Sequence, residues 1–520
     1  MHQRKQLNNP ETLTQSVDFE RKVAEPSVLE YLEIDPKQIK AIKPHSRRIH
    51  YKAIVNWLTR YQPDAQTSTL EQFRGILETF YHFCVIQEWQ KAADIIVGVA
   101  VVKTSVKTLA SKTTSSSSEQ FHVQLGTCGN YSEQIDIYKI LLNKLTPEIN
   151  LICLNGLGLA HHSLGNWKKA LQFHQMQLAI AQKTEDMESQ KNALNNLGNV
   201  YGSLHQCKQA IACYDQALEI ARQEGDSKGE GKTLGNLGVI YRFLNDRDQS
   251  IEYFLKSLEV GENLEDSQLI QNAQYNLGID FYLLGEYSLA LDYFSSSLIS
   301  AAKVGDVKGE AVALGSIGNV YCAMNNHSEA LKYHQQHLAL SREIGHLEGE
   351  SKALGNLGVI YHCIGNYEKA LEYYNQKKAL VKQLGDRQSE AYMLTNIGNT
   401  YAYIGKPDVA INFHQKSLNL ATEIEDVLGV ASALHNIGDA YRLLQKFDEA
   451  VFQVIQSLYI FDSINSPQVQ VALTTLRKIA LEVGVEQYNK LVEKHLILFD
   501  ENEVGKEMIL RLQELLYETP

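Results

Sequence analysis

His334 and His337 lie one helical turn apart, the spacing in this chain best suited to holding a metal ion. Zn²⁺ takes imidazole nitrogen readily, but a site needs three or four ligands and the sequence offers no third. His334 also sits in a column where Tyr214, Phe254, Phe294 and Tyr374 stand in other blocks, so a packing role is expected of it. Gly229-Glu230-Gly231-Lys232-Thr233 has the ending of a phosphate-binding loop. That loop requires a glycine five residues before its last one, after a strand. Asp226 stands there, and Gly225 is one residue too far away. Asp246-Arg247-Asp248 lacks the glycine and terminal glutamate of a calcium loop, and His161-His162 has no evident partner. Nucleophile elbows, His-Glu-x-x-His and Cys-His signatures are absent from the sequence. The expectation is no catalytic residue, no metal site, no cofactor and no enzyme.

The elements that would position any site come from a repeat. From Leu151 to Gln470 the chain is eight forty-residue blocks without insertion or deletion, starting at 151, 191, 231, 271, 311, 351, 391 and 431. Position 8 is glycine in every block, from Gly158 to Gly438. Position 11 is aromatic or His, from His161 to Tyr441, and position 20 is alanine except at Ser250. A fixed period of this length signals stacked supersecondary units. Apolar residues at positions 4, 7, 11 and 14 share one helical face, as in Leu194, Leu197, Tyr201 and Leu204. Ile211, Tyr214, Leu218 and Ala221 mark a second helix.

Glycine inside a helix costs roughly 1 kcal/mol against alanine, so it needs a compensating contact. Close approach of the two backbones at positions 8 and 20, with the position-11 ring filling beside them, would supply it. Each block ends in punctuation. Gly225-Asp226, Gly305-Asp306 and Gly385-Asp386 set a left-handed stop beside an N-cap. Asp186, Asp266 and Asp426 repeat the cap without the glycine, and His346 breaks the pattern. A single block cannot bury its apolar face, so neighbours stack into a solenoid.

Leu354-Gly355-Asn356-Leu357-Gly358-Val359-Ile360-Tyr361, followed by Gly365-Asn366-Tyr367-Glu368-Lys369-Ala370-Leu371, resembles the tetratricopeptide repeat family. Two features depart from its pattern: position 4 is mostly Leu instead of Trp, and the proline near position 32 is missing. The forty-residue period is similar to the long-helix subclass of kinesin light chains, spindle-orientation adaptors and bacterial scaffolds. The resemblance implies an all-α fold, a right-handed α-solenoid of helix-turn-helix units with helical caps at both ends. It also implies a concave groove lined by positions 2, 5, 6, 9, 12 and 13.

Carried onto this chain, position 6 gives Asn196, Asn236, Asn276, Asn356, Asn396 and Asn436, and position 9 gives Asn199, Asn319 and Asn399 beside Asp439. An asparagine ladder can bracket the amides of a bound peptide without reading its sequence. The alternative is that asparagine at position 6 bonds the backbone of the neighbouring repeat or fixes the helix pair. Lys232, Arg242, Lys352 and Arg442 also fall on groove positions, near His362 and His435. With Tyr275, Tyr282, Phe243, Tyr392 and Tyr403 they suit a peptide bearing carboxylates and a few apolar anchors. The expected function is a scaffold that binds a peptide segment of a partner protein. The alternative is a peptide-responsive regulatory receptor, similar to quorum-sensing receptors, whose amino-terminal helices act on an effector.

Outside the eight blocks (151–470), residues 1–67 form a helical segment with a polar, frayed start over 1–25. Residues 68–150 hold two divergent helix pairs, the first over 68–102 and the second over roughly 119–150, where Cys128 to Ile135 resembles Leu164 to Leu171. A Ser/Thr-rich loop over 104–118 separates them, and 471–520 supply capping helices over 485–500 and 503–517. Lys37 to Arg60 contains seven basic residues and no acidic one, in a chain of net charge −12. That charge argues against nucleic-acid binding by the whole molecule, with 37–60 as the one segment that could do it. Its alternative is the solvated face of a helical cap. Seven cysteines without metal-like spacing, no secretory h-region and no membrane-length apolar run point to a cytoplasmic protein without a membrane span.

Overall fold

The computed structural model describes residues 28–63, 67–97, 121–127 and 129–496, and the helices it contains are joined by short turns. The expectations for 1–25, 104–118 and 503–517 lie outside the described residues. The fold is an all-α solenoid of tandem helix pairs, with no strand among the described residues. The chain divides into two compact units, residues 1–229 and 230–520.

In the first unit, short elements (Val28–Tyr31 and a 3-10 turn Ile39–Ala41) precede the helix His45–Arg60. Two helix pairs follow, Thr69–Val85 with Trp89–Val97 and Phe121–Thr127 with Tyr131–Leu141. Ile54, Phe80, Phe83, Ile95, Phe121 and Tyr138 share one apolar core with Leu157 of the first repeat. Repeats 1 and 2 complete this unit with Pro147–Ser163, Trp167–Lys183, Met187–Ser203 and Cys207–Gln223. The second unit holds most of Ser227–Phe243 and the helix pairs of repeats 4 to 8. They run from Ser267–Leu284 and Tyr287–Val304 through Leu347–Cys363 and Arg387–Tyr403 to Val427–Leu443 and Phe447–Ser463. Val469–Val483 and Val485–Leu496 close its end over a core of Val454, Leu458, Phe461, Leu476 and Val492.

Caps explain where the helices start. Asp186, Asp266 and Asp426 each accept the third amide of the following helix at 2.9–3.0 Å, as Asp226, Asp306 and Asp386 do. Gly225, Gly305 and Gly385 take the left-handed conformation, with φ of 66°, 69° and 71°. His346 stands at the same place and makes no capping bond.

Positions 8 and 20 do approach, as where Ser250 Oγ donates to the Gly238 carbonyl at 2.9 Å, but the ring beside the glycine is not the expected position-11 ring. A methyl carbon at Gly198 would lie 2.5 Å from the Tyr214 ring; at Gly358 it would lie 2.4 Å from Tyr374, and at Gly318 2.8 Å from His334. Position 24 therefore covers position 8 in each pair. At Gly438, where position 24 is Val454, such a carbon would meet the Val454 side chain at 2.5 Å and the Ala450 carbonyl at 3.1 Å. The position-11 ring does a different job: it stacks on position 23 of the same repeat. Tyr241 on Tyr253, Phe281 on Tyr293, Tyr321 on Tyr333, Tyr361 on Tyr373 and Tyr401 on Phe413 lie 5.2–5.5 Å apart and within 16° of parallel. His161 on Phe173 matches them in the first unit. Offset stacks of this kind add roughly 0.5–1.5 kcal/mol beyond area burial.

His174, His334 and His414 are the buried rings at position 24 in repeats 1, 5 and 7, and burial pushes each down to about 4. None of the three belongs to a metal-ligand group, since among the described residues no three His, Cys, Asp or Glu side chains converge.

Two predictions test these contacts. Gly358→Leu must force aside the Tyr374 ring and should destabilise by about 1–3 kcal/mol in urea unfolding. The buried histidines stay neutral in the fold and protonate near 6.5 when unfolded, so their stability is complete above that value and lost as pH falls toward 4. At pH 5 each costs about 2 kcal/mol. A His334→Phe/His414→Phe variant, with the residue that Phe254 and Phe294 supply elsewhere, should lose less stability than wild type between pH 7 and 5.

Candidate functional site: the first-helix face

The residues expected to line a groove all fall on first helices, and most are half-buried or exposed. In the first unit, Asn196 donates from Nδ2 to Asn155 Oδ1 of the preceding repeat at 2.8 Å. Asn199 accepts from the Tyr214 hydroxyl at 2.7 Å. His162 and Ser203, also on neighbouring first helices, are hydrogen-bonded at 2.9 Å.

In the second unit the same arrangement recurs at one position and changes at others. Asn356 donates to Asn319 Oδ1 across neighbouring repeats at 2.9 Å. Asn276 donates to the Asn272 carbonyl and accepts from Arg242. The Asn396 side-chain NH₂ is buried and meets no hydrogen-bond partner. Asn436 bonds to His435, whose ring also meets Thr475 at 3.0 Å. Asn236 and Asn399 are half-buried, and Lys232 is exposed. Lys352 is exposed and bonds Glu348 one turn back at 2.7 Å. Asparagine thus ties neighbouring repeats at Asn196 and Asn356, side chain to side chain instead of to the backbone, and through Arg242 at Asn276.

The two arginines require a correction. The sequence offers Arg242 and Arg442 as forks for a partner's carboxylate, but each guanidinium already holds carboxylates of this chain. Arg242 reaches Asp280 through Nε at 2.6 Å and Nη2 at 3.3 Å, bonds the Asn276 side chain and carbonyl, and lies over the Phe254 ring. Asp280 is fully buried, and its second oxygen accepts from Ser250 Oγ at 2.6 Å. Arg442 bonds Asp439 at 2.8 Å and Glu482 at 2.6 Å. A guanidinium spent in this way has little left for a ligand.

Sequence reasoning missed Asp280, although two signals marked it. Ser250 breaks the alanine column at position 20, and Asp280 breaks a position-10 column otherwise held by Ile240, Val320, Ile360 and other uncharged residues. Both breaks meet at one junction. Four residues that the sequence offered singly as groove-lining, Tyr392, Asn396, Asn399 and Tyr403, share one face of the helix Arg387–Tyr403 at spacings of four, three and four. Tyr392 is 62% exposed and Tyr403 69%. Tyr403 packs edge-on to His362 at 4.9 Å, and His362 is held by Thr400 at 3.1 Å.

The phosphate-loop look-alike Gly229 to Thr233 lies inside the helix Ser227–Phe243, with no strand before it. In the basic amino-terminal segment, Arg47 pairs with Glu88 and Arg48 donates to the Lys40 carbonyl at 3.2 Å. No helix among the described residues is long and apolar enough to cross a membrane.

The Arg242 network predicts a specific stability pattern. Arg242→Met leaves Asp280 buried and uncompensated and should cost about 3–5 kcal/mol in denaturant unfolding. The Arg242→Met/Asp280→Ile/Ser250→Ala variant restores the side chains found at positions 10 and 20 of other repeats, and should recover most of that loss.

A family model described as tetratricopeptide repeat matches residues 150–223, 189–263, 229–303, 309–383 and 389–463, more than half of the chain. No curated protein matches it. Among solved structures it is similar to a signal-transduction ATPase with a tetratricopeptide repeat sensor from Pyrococcus horikoshii, at 14% identity and a TM-score of 0.50. That match covers 86% of this chain and 68% of the other. The apo quorum sensor NprR from B. thuringiensis matches at 16% identity and a TM-score of 0.46, covering 67% of this chain and 99% of the sensor. The Rap protein complexed with competence and sporulation factor matches at 15% and 0.43, covering 76% and 99%. At such identities these likenesses concern the fold alone.

Proposed function

The chain belongs to the tetratricopeptide repeat family, and from that membership we propose that it is a scaffold whose first-helix face holds an extended segment of a partner protein. The stripe on Arg387–Tyr403 carries this reading. Two tyrosines more than half exposed flank the half-buried Asn396 and Asn399; the Asn396 NH₂ is itself buried, so the tyrosines are the accessible anchors of the stripe. Tyrosines anchor bound peptides through large area at low entropy cost, and amide side chains between them suit backbone groups of an extended chain. Preference for an acidic segment rests on the exposed Lys232, with Lys352 shared with Glu348 at the surface, since Arg242 and Arg442 are committed within the fold.

The test is a random peptide library selected on the full chain, with dissociation constants for the winning peptides measured on variants. Tyr392→Ala/Tyr403→Ala should weaken them by at least about tenfold with thermal unfolding unchanged. Lys232→Glu/Lys352→Glu should weaken acidic winners more than neutral ones, and more at low salt. Winners that bind all variants as tightly as wild type would remove the first-helix face from consideration.

A further inference from the structure

The turns between paired helices in residues 230–520 carry a second periodic pattern. Position 14, at or just past the end of each first helix, holds Leu244, Leu284, Met324, Ile364, Ile404 and Leu444 in repeats 3 to 8. The first five are 38–48% exposed, which makes an apolar row along one edge. Monomeric surfaces rarely repeat exposed apolar side chains in this ordered way without covering them.

Two residues further on, position 16 is exposed in every one of these repeats and holds Asp246, Glu286, Asn326, Asn366, Lys406 and Lys446. Its sign runs from negative through neutral to positive. Reversed, the series is its own complement: Asp246 meets Lys446, Glu286 meets Lys406, and Asn326 meets Asn366. A twofold axis between repeats 5 and 6 produces these pairings, and the same operation sets Met324 against Ile364 and Leu284 against Ile404. A self-complementary patch of this kind is what an isologous dimer requires. A partner of different sequence gives no reason for both the gradient and its mirror.

The local chemistry agrees. Glu286, Lys406 and Lys446 cap no helix with their side chains, whereas Asp246 accepts the Gln249 amide at 3.2 Å through one carboxylate oxygen. Neighbouring charges on the same turns are used within the chain. Arg247 bonds the Arg242 carbonyl, Lys369 lies over Tyr361, and Asp448 is held by Lys494 and His495. An open depression of about 700 Å³ lies at the turns of repeats 6 and 7, lined by Ile364, Tyr367, Leu371, Tyr401 and Ile404 with Glu368 and Lys406. Under the twofold it lies opposite the turns of repeats 4 and 5, where Leu284 and Met324 stand 48% and 46% exposed.

We propose that two copies of this chain pair antiparallel through this turn edge, about an axis between repeats 5 and 6. The contact uses positions 14 and 16 and leaves positions 2, 6 and 9 of the first helices open. It is therefore separate from peptide binding and stands or falls without it.

Sedimentation equilibrium of the full chain tests the pairing. Wild type should show a concentration-dependent monomer–dimer equilibrium that weakens with salt. Because the axis counts each change twice, Glu286→Lys and Lys406→Glu should each weaken the dimer on the order of tenfold. The Glu286→Lys/Lys406→Glu double variant should return to near wild-type affinity, and Ile364→Asp should be monomeric with an unchanged circular dichroism spectrum. A wild type that stays monomeric overturns the proposal and leaves the row to a different partner. A dimer that ignores both single reversals, or a double variant as weak as the singles, overturns it equally.

Discussion

In seven of the eight repeats one ring lies on one glycine (Val454 takes its place on Gly438), and the pairing of the two helices rests on that contact. Position 8 can carry no side chain because the position-24 ring occupies the space where a methyl would go. The ring has no room to move off, since the paired helix holds it from behind and leaves it almost fully buried. A second pair of rings, at positions 11 and 23, fixes how the helices are turned about their axes. Together these contacts set distance and rotation, and the caps set length. Everything that faces outward is then free to vary from block to block.

That freedom is visible on the first-helix face, where the same column serves different ends. Asparagine at position 6 bonds a neighbouring repeat at Asn196 and Asn356, supports an arginine at Asn276, and keeps a donor unpaired at Asn396. Charge is treated similarly. Arginines that look available among the groove positions are bound to carboxylates of this chain, and of the position-2 lysines Lys352 is paired with Glu348 while Lys232 is exposed. The electrostatics of such a face follows from which charges are already neutralised within the chain, and formal charge alone misjudges it.

Much of the fold was legible because repetition multiplies a weak signal. One glycine in a helix means little, but eight at a fixed step mean close packing, and the helix pairs, caps and stops fell where the spacing put them. The partner of that glycine was not legible, because positions 11, 23 and 24 all carry rings and spacing alone does not say which one lies over position 8. Tyr392 and Tyr403 were visible as groove aromatics, yet their place on one stripe with Asn396 and Asn399 needed the exposures. Asp280 escaped because one carboxylate in an apolar column looks like drift until Ser250 and Arg242 are seen beside it.

That buried carboxylate also bears on how an array of near-identical units can change over time. Repeat proteins grow and shrink by duplication and loss of blocks, and most junctions here would accept a substitute, since glycine, ring and cap recur. The junction between repeats 3 and 4 would not. Its acid comes from one block and its arginine and serine from the other, so shuffling either away strands a charge in the interior. Those two units therefore have to move together for the buried charge to stay paired, a fixed landmark in an otherwise exchangeable array.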